Sequence, residues 1–216
     1  MNEFDINDLE FNMPDDLDIF NLESTEPEGL VKRLKSKRKK YFIIDKSIKA
    51  LGKILDNKLP QKDECMKLIS YDGGFASISF ICYIAGKEKI LELIASTLRI
   101  GEKQFNYLSK LYAKGMLLNA TFFIGSIMQE DEKLKDKYNY YKHFDDACIK
   151  NRWNKIVINN HSKIILMRTE KNYYVLETSS NLNENPKIEQ YSFENDKELY
   201  EFYYNFFAEL KERGYK

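Results

Sequence analysis

A chain of 216 residues with 43% apolar and 14% aromatic side chains is long enough for one sizeable core and too short for two average domains with linkers. It has no apolar run of the roughly 18 to 20 residues that cross a bilayer, and MNEFDINDLE lacks the basic and apolar stretches of a signal peptide, so a cytoplasmic protein with no membrane association is expected. The formal net charge of zero is unevenly spread: residues 1–30 hold ten acidic groups and no Lys or Arg, leaving 24 acidic against all 34 basic groups in residues 31–216.

An excess of about ten positive charges on the body favours a polyanionic partner, through phosphate contacts and counterion release; the bland counterpart is a solvated Lys-rich surface. Cys65, Cys82 and Cys148 are odd in number and have no CxxC spacing, which speaks against a disulfide framework or a zinc site. His143 and His161 are the two histidines, so chemistry without a metal or other cofactor is expected.

In chain order, residues 1–30 mix acids with spaced apolar residues such as Phe4, Leu9, Phe11, Ile19 and Phe20. That composition suits a flexible acidic docking arm, which would bind a protein partner or fold over the body's own basic groove. Residues 31–40, VKRLKSKRKK, form a basic linker able to touch several phosphates or to balance the arm.

From residue 41 to 216 the pattern is that of one α/β domain. Strands are predicted at Met66–Tyr71, Ile90–Leu98, Ala120–Gly125, Lys155–Ile158, Ser162–Arg168 and Tyr173–Thr178, each short and rich in β-branched or aromatic residues. Helices are predicted at Ile44–Leu55, Phe75–Ala85, Lys103–Lys114, Asp131–Asn151 and Asp196–Glu212. Alternation of the two predicts a mixed, mostly parallel sheet flanked by helices on both faces. Thr169-Glu170-Lys171-Asn172 should close a hairpin between the last two strands.

The chemistry-bearing stretch starts at His161. On a strand, His161 and Lys163 share a face and bring an imidazole and an ammonium to one spot. Beyond the hairpin, Ser179 and Asn181 offer a hydroxyl and an amide to further phosphate oxygens. After Asn183–Pro186, Glu189 supplies a carboxylate able to fix an imidazole tautomer. An isolated HxK is weak; its conjunction with S-x-N and Glu189-Gln190, in this order, is more specific. Arg99, at a strand end, is a further candidate phosphate ligand. Gly73-Gly74 would serve as an anion nest or, more simply, a strand-to-helix turn, His143 reads as a surface residue, and Trp153 as core.

Over about residues 155–193 this order resembles the phospholipase D superfamily, whose motif is HxK-x4-D followed by G-S-x-N. The resemblance implies an αβα sandwich. It implies that His161 attacks phosphorus or protonates the leaving group, that Lys163, Ser179 and Asn181 hold phosphate oxygens, and that Glu189-Gln190 is the downstream pair. Arg168 stands where the family has its aspartate, and Thr178 where it has glycine. One motif makes half a site, so the resemblance also implies a homodimer with a shared centre, cleaving phosphodiesters, nucleic acid before lipid, through a phosphohistidine. The alternative is a catalytically impaired nucleic-acid-binding or assembly protein of a phage or mobile element, docked through its acidic arm. Deleting residues 1–30 should raise DNA affinity in a gel-shift titration if the arm masks the groove; unchanged binding would remove self-masking.

Overall fold

The computed structural model describes residues 41–45, 50–70, 75–129, 140–183 and 188–213. The expectations for residues 1–40, for Gly73-Gly74 and for the first part of the helix from Asp131 lie outside these. Along the described chain the elements are β1 (Tyr41–Asp45), α1 (Ala50–Ile54), β2 (Glu64–Ser70), α2 (Ser77–Ala85), β3 (Glu92–Thr97), α3 (Glu102–Ala113) and β4 (Ala120–Gly125). They continue with α4 (Tyr140–Asn151), β5 (Asn154–Ile158), β6 (Ile164–Arg168), β7 (Tyr173–Thr178), β8 (Glu189–Asn195) and α5 (Lys197–Glu212).

Among the described residues, eight strands form one sheet in the order β1-β2-β8-β7-β6-β3-β4-β5. The pairs β1–β2, β3–β4 and β4–β5 are parallel, and the four pairs linking β2, β8, β7, β6 and β3 are antiparallel. Six strands therefore point one way, with β6 and β8 reversed, which is the mixed sheet expected. Thr169 donates its amide to the Asn172 carbonyl at 3.0 Å and closes the predicted β6–β7 hairpin.

Period-two alternation sorts the strand residues between two cores. Leu93, Ala95, Phe122, Ile124, Ile165, Met167, Tyr174 and Leu176 pack with Leu51, Ile81, Leu108 and Phe144 from α1 to α4. Their neighbours Ile94, Phe123, Leu166 and Val175 pack with Tyr200 and Phe207 of α5. Helices thus cover both faces, with α5 alone forming the second core among the described residues. Asp196 caps α5, its Oδ1 accepting from the Leu199 amide at 3.0 Å.

Two elements differ from expectation. The helix predicted from Ile44 is described over Ala50–Ile54, while Tyr41–Asp45 is a strand parallel to β2; the aromatic and β-branched run there outweighs the helical spacing. The sequence reading also passed over β8. In it Glu189, Tyr191, Phe193 and Asn195 are buried at alternate positions, but its polar ends mask the period.

Adjacent residues on α5 separate burial from composition: Phe207 is 2% exposed and Phe206 52%. Phe207→Ala should cost about 3 to 4 kcal/mol and Phe206→Ala under about 1 kcal/mol, measured by urea denaturation.

Candidate functional site

The antiparallel insertion decides which chain ends meet. Ser96 of β3 pairs with Ile164, Ile164 with Glu177, Thr178 with Tyr191, and Ser70 with Glu189. The start of β6, the end of β7 and the start of β8 therefore share one edge with the carboxyl ends of the six co-directional strands, a common place for ligands in open α/β sheets. His161, Lys163, Ser179, Asn181, Glu189 and Arg99 are all carried to this edge.

His161 and Lys163 lie in the approach to β6 and not on the strand itself, which starts at Ile164 rather than at the predicted Ser162. They still converge: Lys163 Nζ is 3.2 Å from His161 Nδ1 and donates to the His161 carbonyl at 2.7 Å. An ammonium has no acceptor, so this contact is a hydrogen bond from Lys163 in the ring tautomer whose Nδ1 is unprotonated. Burial pulls the Lys163 ammonium below its ordinary range, and the Glu189 carboxylate opposes that shift.

Glu189 is 5% exposed and accepts the Ser179 hydroxyl proton. Ser179 Oγ in turn accepts from the Gln190 amide at 3.0 Å. Glu189 thus holds a serine, with Lys163 in electrostatic reach. Asn181 Oδ1 accepts from the Leu98 amide at 3.3 Å and the Thr97 hydroxyl at 3.4 Å, joining the loop after β7 to the loop after β3. Half-buried Arg99 follows in that second loop, where its carbonyl accepts from Thr97 Oγ1 at 2.8 Å.

Both departures from the resembled motif acquire a structural account. Arg168 ends β6 at the opposite edge of the sheet, about 13 Å from its start, and pairs with Glu92 at 3.3 Å. It therefore stands away from the edge that carries His161 and Lys163. Thr178 Oγ1 accepts from the Ser180 amide at 2.9 Å, shaping the turn that presents Ser179 and Asn181.

A hub that the sequence reading missed precedes His161. Buried Asn160 donates through Nδ2 to Ser96 Oγ at 2.9 Å, the Thr97 carbonyl at 3.3 Å and the Phe123 carbonyl at 2.9 Å. Its Oδ1 accepts from the Ser162 amide and hydroxyl, both at 2.9 Å. The residues on either side of His161 are thereby tied to β3 and β4. Gly125 allows the close approach, since a Cβ there would sit 2.8 Å from the Leu98 carbonyl and 3.1 Å from that of Asn160. The Asn-Asn pair directly before His161 was the available signal. His143 is on the surface, 3.5 Å from Glu102, and Trp153 is buried, both as expected.

No family model and no curated protein matches the sequence. Among solved structures, polyphosphate kinase from Porphyromonas gingivalis overlays with a TM-score of 0.54 at 13% identity, covering 74% of this chain and 26% of the kinase. The two share a fold. This chain thus spans about a quarter of the kinase's length. Phosphatidylserine synthase from Haemophilus influenzae Rd KW20 overlaps more loosely, at a TM-score of 0.39 and 11% identity over 63% of this chain and 35% of that one. No described helix is long and apolar enough to cross a membrane.

Lys163's lowered pKa has a testable sign. The folded state releases this proton before the unfolded chain does, so charging Lys163 disfavours folding below the lowered pKa, and the penalty fades as pH rises toward the unfolded value. In thermal melts from about pH 7 to about pH 10, wild type should gain stability relative to Lys163→Met as pH rises. A constant difference would contradict the burial argument.

Proposed function

We propose that this chain is a phospholipase D-like phosphodiesterase acting on nucleic acid. The observation that carries the reading is the convergence of His161, Lys163, Ser179 and Asn181 at one sheet edge, in the order of the resembled HxK and S-x-N motifs. Lys163 and Asn181 Nδ2 would hold nonbridging oxygens, Arg99 would add charge, and Ser179 would turn its hydroxyl from Glu189 to the phosphate. The fold shared with part of a polyphosphate kinase is compatible with chemistry at phosphorus.

A second group must complete the reaction, because attack by one imidazole needs another to protonate the leaving oxygen. A homodimer with His161 of each copy facing across a two-fold axis would provide it. One ring attacks phosphorus through Nε2, forming the N–P bond as the P–O bond breaks, while the other donates its proton to the departing oxygen. Water then attacks the phosphohistidine, giving a proton to the second ring and releasing the first. Attack through Nε2 requires the ring proton to be on Nδ1, so Lys163 must leave that nitrogen.

The same contact favours a second reading, in which the grip binds nucleic acid without turnover and the acidic arm at residues 1–30 docks it to a larger assembly. Incubation with single- and double-stranded DNA in EDTA separates the two. Cleavage that survives chelation and falls about a thousandfold or more in His161→Ala, with a phosphoprotein trapped on a denaturing gel, is the expected result. Equal binding by both proteins without cleavage supports the second reading, and a monomer by light scattering removes the shared-site mechanism.

A further inference from the structure

Beside the phosphate grip a cleft of about 410 Å³ opens between the ends of β3, β4 and β5, lined by Leu98, Ser126, Ile127, Asn159, Asn160 and His161. Its volume lies in the range of small-molecule sites, and it exceeds what a phosphate group alone would fill. His161 forms one border, so a group bound here would be attached to the phosphate held at the edge. We propose that this cleft is the subsite for a nucleoside arm of the phosphodiester, an inference that rests on the function proposed above.

The chemistry of the lining selects that arm. Leu98 and Ile127 are half-buried aliphatic walls suited to the face of a flat ring, while the Ser126 hydroxyl and the exposed Asn159 amide offer donors and acceptors to its edge. Asn160 is committed to the hub through both ends of its amide, so it shapes the wall and leaves recognition to Asn159. Among the described lining residues there is no Asp or Glu, and the amide and hydroxyl suit a base better than an acyl chain.

The walls are also rigid with respect to the grip. The Leu98 amide donates to Asn181 Oδ1 and the Leu98 carbonyl accepts from the Gly125 amide at 3.2 Å, while the Ser126 amide donates to the Ile158 carbonyl at 2.8 Å. Subsite and phosphate ligands are thus spaced by backbone, which is what discrimination by position requires.

The test titrates the full chain with thymidine 5′-monophosphate, sn-glycerol 3-phosphate and inorganic phosphate, following backbone amide shifts by NMR. The nucleotide should shift Ser126, Ile127 and Asn159 together with Ser179 and bind tightest, while the other two shift the Ser179 side. Asn159→Leu should lower the nucleotide-to-phosphate affinity ratio about tenfold, with unchanged amide dispersion as the check on folding. Equal affinity for all three ligands, an unchanged ratio in the variant, or no shift at Ser126 to Asn159 overturns the subsite. Selective nucleotide binding without DNA cleavage would instead sink the hydrolytic function and leave the subsite standing. Cleavage with equal binding of all three would do the reverse.

Discussion

The pairing of the β6–β7 hairpin between β3 and β8 is the constraint on which the site depends. It reverses strand direction twice within one sheet, and so turns the beginning of β6 and the end of β7 to the same edge. The ladder continues past the strands themselves: the Thr178 amide donates to the Lys163 carbonyl, and the Ser179 amide to the Gln190 carbonyl, each at 3.1 Å. Register here is strongly specified, because Leu166 and Val175 face one core while Ile165, Met167, Tyr174 and Leu176 face the other. A one-residue slip would exchange the faces of a whole strand. Lys163 and Ser179 are therefore extensions of the most buried part of the molecule.

Upon that frame the polar groups form two linked sets. On one side, Glu189 is buried against Ser179 and bears on Lys163, so a carboxylate and an ammonium partly offset each other's desolvation. On the other, Asn160 ties the loop bearing His161 to β3 and β4 through three hydrogen bonds and holds Ser162 through two more. Asn181, held by Leu98 and Thr97, bridges the two sets. Such a site is preorganised in its backbone, with adjustment confined to the ends of Lys163, Ser179 and His161.

The departures from the resembled motif are reinterpreted by their location. Arg168 belongs to the far edge, where it pairs with Glu92, which also receives the Tyr200 hydroxyl at 3.4 Å. The position thus joins β6 to β3 and α5, and an arginine serves there in an ion pair. The contact with chemical weight is instead that of Lys163 Nζ with His161 Nδ1 at 3.2 Å.

Much of the fold was legible because its signals are local. The short aromatic and aliphatic runs Ala120–Gly125 and Tyr173–Thr178 and the four residues between β6 and β7 require only neighbours in the chain to be read. The same holds for His161, Lys163, Ser179 and Asn181, whose order and spacing along the chain can be read without knowing any contact. The strand β8 escaped because its buried Glu189 and Asn195 are polar, and their burial is satisfied only by partners brought by the sheet. What Glu189 touches, where Arg168 ends up and why Asn160 precedes the histidine were decided by tertiary structure, since Asn160 meets Ser96 and Phe123 across 64 and 37 residues. Chemical identity is written along the chain; the partner that gives each group its state depends on strand order, which a local pattern does not encode.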